Sequence, residues 1–130
     1  LEKDLALVMD IHHHWIRAEE YIQPHDDRVK RVIDSWRGQR PTMHYSYSRD
    51  EHLAPANLGD KIHSEMHDIK MLLERGCKKQ KLRAHSDLLP NTKVNDWALS
   101  FGEHFDIQTE AKGKNMAAEQ LYRQHIEKNV

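Results

Sequence analysis

The sequence predicts a mainly α-helical fold: a compact, bundle-like domain of four to five helices, with one short two-stranded element near residues 43–48 and 104–109. Three observations lead there. Asn57 to Arg75 carries Leu58, Ile62, Met66, Ile69 and Leu73 at spacings of three and four, the stripe of a core-facing helix. Leu1 to about Gln23 lacks glycine and proline and brings Leu1, Leu5, Val8, Trp15 and Ile22 to one face at 100° per residue. Pro24, Gly38 and Gly76 then stand where such helices would end, since proline cannot continue the hydrogen-bond ladder and glycine accepts the left-handed conformation of a helix stop. At 130 residues, with no internal repeat and no low-complexity linker, residues 1–130 read as a single helical domain.

The elements follow in order. After Pro24, Asp26 and Asp27 supply an N-cap for a second helix, Asp27 to about Trp36, with Val29, Val32, Ile33 and Trp36 inward. Between Pro41 and Pro55, Met43 to Ser48 alternates with the two-residue period of a strand, which reads as a short edge strand or an ordered loop. The Asn57–Arg75 stripe comes next, capped by Asn57 or Asp60 and stopped at Gly76. Val94 to Phe105 reads as helix first and extended chain afterwards, because Gly102 and the alternation Phe105, Ile107, Thr109 favour a strand in its second half. Asn115 caps a final helix to about Lys128, with Ala117, Ala118, Leu121, Tyr122 and Ile126 on its apolar side and His125 at the centre of it.

Composition bounds the function. Hydrophobic residues make up 38% and charged residues 32%, so the core is modest and the surface heavily charged. Twenty basic residues against twenty-one acidic ones leave a formal charge of −1, so no global field attracts nucleic acid or membrane. No apolar run reaches the roughly 18–20 residues of a membrane span, and no basic-then-apolar segment opens the chain, so the sequence reads as soluble. The single cysteine, Cys77, excludes an internal disulfide framework and fits the cytoplasm or another reducing intracellular compartment.

The unusual feature is eleven histidines spread along the whole chain. His63 and His67, at i and i+4 on the predicted central helix, have the spacing of two ligands to one transition metal, Zn or Fe, because neutral imidazole suits those ions. His12 and Glu19, in the apolar stripe of the first helix, and His125, on the last, are the residues that would complete the shell, as facing helices do in metal-binding bundles. Metal-activated hydrolysis would follow, with Glu65 or Asp68 as the catalytic base. His63-Ser64-Glu65-Met66-His67 has the histidine spacing of the zinc-protease helix, but its glutamate is third rather than second, rotated about 100° away, so protease chemistry is not carried over.

Two resemblances accompany this reading. His67-Asp68 is similar to the adjacent His-Asp pair of the HD phosphohydrolases, whose site also takes an earlier histidine (His44 or His52 here) and a later aspartate (Asp87 or Asp96). The chain end, an extended segment followed by KGKNMAAEQLYRQHI, faintly resembles the β–α ending of a double-stranded-RNA-binding domain, which would put phosphate contacts at Lys112 and Lys114. An RNA-binding module using the basic segments 78–83 (Lys78, Lys79, Lys81, Arg83) and 112–114 is accordingly one alternative. A non-enzymatic subunit that meets a protein partner through tyrosines such as Tyr45 and Tyr47 is another.

Overall fold

The computed structural model describes residues 5–110, 121–124 and 126. It corrects the predicted helical bundle: the fold is mixed α/β, built on a three-stranded parallel sheet. The strands are β1 (Met9–Asp10), β2 (Thr42–Tyr45) and β3 (Asp106–Thr109), in the order β1-β2-β3. Parallel strands need long crossovers. Here α1 (Ile11–Ala18) and α2 (Asp27–Ser35) fill the first, while α3 (Asp50–Leu53), α4 (Ile69–Glu74), α5 (Lys79–Leu82) and α6 (Thr92–Leu99) fill the second. The predicted pairing of 43–48 with 104–109 is present as β2 against β3, with Thr42 opposite Asp106 and Tyr45 opposite Thr109. The strand read as an edge is the centre of the sheet, because Met9 and Asp10 pair with Met43 and His44 on its other side.

The long first helix gives way at its start for a local reason. Asp10 is extended, and its carboxylate accepts a hydrogen bond from the His13 backbone N–H at 2.9 Å, so the helix begins at Ile11 with Asp10 as its N-cap. It ends at Glu19, which adopts the left-handed conformation (φ 61°) and donates its backbone N–H to the Trp15 carbonyl. The continuous Asn57–Arg75 helix is also corrected. Asn57 and Gly59 have φ of 52° and 58°, values an α-helix cannot contain, and only a 3-10 turn forms at Gly59–Lys61. The helix proper starts at Ile69, capped by Asp68, and Gly76 closes it with φ 106°. Only part of the apolar stripe is core: Ile69 is fully buried while Met66 is 37% exposed. The Asp27 helix keeps its expected place, with Asp26 as N-cap and Val29 buried.

Alternation in the strands sets the two faces of the sheet. Met9, Met43 and Ile107 are cross-strand partners on one face, and Met9 and Met43 are buried there. Asp10, His44 and Gln108 are cross-strand partners on the other, half-buried or exposed. A run of rings in contact crosses the core: Trp15 stacks on Tyr21, and Tyr21–Trp97, Trp97–Phe101 and Phe101–Phe105 meet edge to face. Arg40 locks the start of β2 to the chain entering β3, donating to the carbonyls of Gly102, Glu103 and Phe105 and, at 2.6 Å, to the Asp106 carboxylate.

Candidate metal centre

The C-terminal ends of the three strands converge, and each contributes a metal-ligating side chain: Asp10 from β1, His44 from β2 and Glu110 just beyond β3. Glu110 is placed by its backbone N–H, which donates to the Tyr45 carbonyl at 2.8 Å and extends the ladder by one residue. Counting alternately from Gln108, Glu110 returns to the face of Asp10 and His44. One ligand atom from each lies within 4.8 Å of the others, and all three residues are half-buried. His44 Nδ1 is 3.0 Å from Glu110 Oε1. That oxygen is itself inaccessible to solvent and has no hydrogen-bond partner, so the two atoms touch without the alignment of an N–H···O bond. A nitrogen and an oxygen held side by side in this way suit a shared cation.

The distances fit a small divalent ion. Ligands about 2.0–2.2 Å from zinc lie about 3–3.5 Å apart around it, a spacing that His44 and Glu110 already have, with an Asp10 oxygen within 4.8 Å of both. Asp10 accepts the His13 amide through Oδ1, and a carboxylate has further lone pairs with which to bind a cation. The position lies at the carboxyl ends of the strands, where open parallel sheets bind ligands, although the sequential order β1-β2-β3 has no topological switch point.

The residues nominated from sequence lie elsewhere. His12 is buried, with Nδ1 and Nε2 each 3.0 Å from a serine hydroxyl, those of Ser46 and Ser48. Burial lowers its pKa to about 4. His67 is buried too, and its Nε2 meets the Ile62 carbonyl at 3.1 Å. Both border an enclosed space of about 10 Å³, at the lower limit for one water molecule. His63 lies on a different surface, 3.2 Å from the Asp50 carboxylate at the rim of a polar cleft of about 420 Å³. With the helix broken between Lys61 and Ile69, His63 and His67 no longer share the one-turn geometry that nominated them. Glu19 is the left-handed residue ending α1, 4.0 Å from Lys79. Glu65 and Asp68 are exposed, and Asp68 serves as the cap of α4. His125 lies outside the described residues, as do Lys112 and Lys114. Among the described residues, the group of three that could hold a metal is Asp10, His44 and Glu110, and none of the nominated residues belongs to it.

A signal for the missed residues is present in the sequence. Asp10 ahead of a helical run is an N-cap signal, and His44 and Glu110 fall on one phase of their alternating segments. What the sequence does not carry is the parallel register that sets them side by side. No protein-family model matches the chain, and no curated protein and no solved structure is similar to it. No helix among the described residues is long and apolar enough to cross a membrane.

Proposed function

We propose that this α/β domain binds one divalent transition-metal ion, Zn or Fe, through Asp10, His44 and Glu110 at the C-terminal edge of its sheet. The observation that carries the reading is the solvent-inaccessible Glu110 oxygen, without a hydrogen bond, held against His44 Nδ1, with an Asp10 carboxylate oxygen within 4.8 Å. One imidazole and two carboxylates form a mixed nitrogen–oxygen donor set: the imidazole favours Zn or Fe over Mg or Ca, and the carboxylates admit Mn as well. Three protein ligands leave a coordination position for water, the arrangement of catalytic rather than structural sites. When bound, the ion would supply an activated water or a Lewis acid for hydrolysis. The protein's own part is to fix three ligands on adjacent strand ends, with Asp10 oriented by the first turn of α1.

The experiment is metal analysis of untagged chain after exposure to Zn, Fe and Mn and removal of excess ion, with His44→Ala alongside. One equivalent retained by the wild type and lost in His44→Ala supports the proposal. Equal metal content in the two proteins, or none in the wild type, overturns it.

A further inference from the structure

We infer that His12 is the positioning residue of this centre, its imidazole tying the strand end that carries Asp10 to the strand end that carries His44; the inference rests on the metal reading above. His12 follows Asp10 by two residues in the first turn of α1, and Ser46 follows His44 by two residues past β2. The His12 ring spans the gap between them, 3.0 Å from Ser46 Oγ on one side and 3.0 Å from Ser48 Oγ on the other. All three side chains are buried, with Ser46 and Ser48 each 1% exposed and His12 5% exposed, so these bonds are sheltered from water.

The network sets the direction of each bond. Ser48 Oγ donates to the Leu82 carbonyl at 2.7 Å, so it accepts from His12 Nε2–H. Nδ1 is then the acceptor, and Ser46 Oγ–H donates to it. His12 thus links α1, the end of β2 and α5 in one chain of bonds.

That link falls where the sheet is weakest. Strand β1 is two residues long and is paired with β2 only at Met9 and Asp10, so its ladder alone holds Asp10 loosely against His44. The ligand pair needs a placement finer than a two-residue ladder imposes, and the imidazole clamp two residues further on provides it. Partners hydrogen-bonded directly to ligands typically change metal affinity about 10–100-fold when removed; the His12 clamp acts through the backbone, so the lower end of that range is expected.

Cobalt(II) titration of the full chain, followed by visible absorption, tests this. Ser46→Ala removes the Nδ1 bond and is not itself a ligand; Ser46→Thr keeps the hydroxyl. Val29→Ala, a core cavity in α2, serves as a variant that loses stability alone. The expected result is about tenfold or weaker cobalt binding with a shifted spectrum in Ser46→Ala. Ser46→Thr recovers both, and Val29→Ala keeps the wild-type spectrum and affinity while it is folded. Wild-type affinity and spectrum in Ser46→Ala overturn the positioning role while leaving the metal centre standing. No cobalt spectrum in the wild type overturns the metal reading, and this inference with it. Should Ser46→Ala not fold, Ser48→Ala cuts the other arm and is judged by the same two readouts.

Discussion

At the scale of single residues, the chain's abundant histidine resolves into different environments. His12 is a buried neutral base whose pKa falls from 6.5 to about 4, chiefly because burial disfavours its charged form. The sign of its effect on stability follows. The unfolded chain takes up a proton near pH 6.5 that the folded chain refuses until about pH 4, so this stability is complete above pH 6.5 and is lost as pH falls toward 4. The size of the effect is about 3 kcal/mol. Urea unfolding at pH 7.5 and pH 4.5 is expected to show this loss in the wild type and a smaller one in His12→Gln; equal losses would refute it. His44 is the contrasting case. It is half-buried and 3.0 Å from the Glu110 carboxylate, at the strand end and not in the core.

At the scale of elements, Asp10 has two duties that substitution separates. As N-cap of α1 it accepts the His13 amide, and replacing a cap by alanine costs about 1 kcal/mol. Asp10→Asn keeps the cap and removes the charge. Thermal melts of the metal-free protein should therefore show Asp10→Asn close to wild type and Asp10→Ala lower, while both variants bind zinc more weakly. A wild-type zinc affinity for Asp10→Asn would remove Asp10 from the centre. The same element shows what the sequence could and could not reveal. The second helix was legible because an Asp cap and a strong stripe agree, and residues 94–109 were legible as helix then strand because Gly102 falls between two periodicities. The stripe at 58–73 misleads because spacing alone does not register that Asn57 and Gly59 take left-handed conformations, and because only Ile69 of its five residues is fully buried. Strand β1 was hidden by its length: two residues carry no period, and the residues around them continue the pattern of a helix.

At the scale of the whole molecule, topology makes the candidate site. Ligands drawn from residues 10, 44 and 110 meet because three parallel strands end together, a relation that no local pattern contains. The register depends on Arg40, which holds the turn at 102–105 and the Asp106 carboxylate against the start of β2. Arg40→Met should raise amide exchange across 106–109 and lower stability by about 1 kcal/mol, since most of the groups it releases are exposed and can be solvated. Unchanged protection there would show that the ladder holds without the clamp. Binding also feeds back on the fold: an ion present at a hundred times its Kd should add about 2.7 kcal/mol to stability. The most direct measurement is crystallographic, with zinc added and anomalous scattering used to locate it. One zinc peak is expected, about 2.0–2.2 Å from His44 Nδ1 and from carboxylate oxygens of Asp10 and Glu110. Zinc bound at His63, His67 or another histidine, with none between the strand ends, would contradict it.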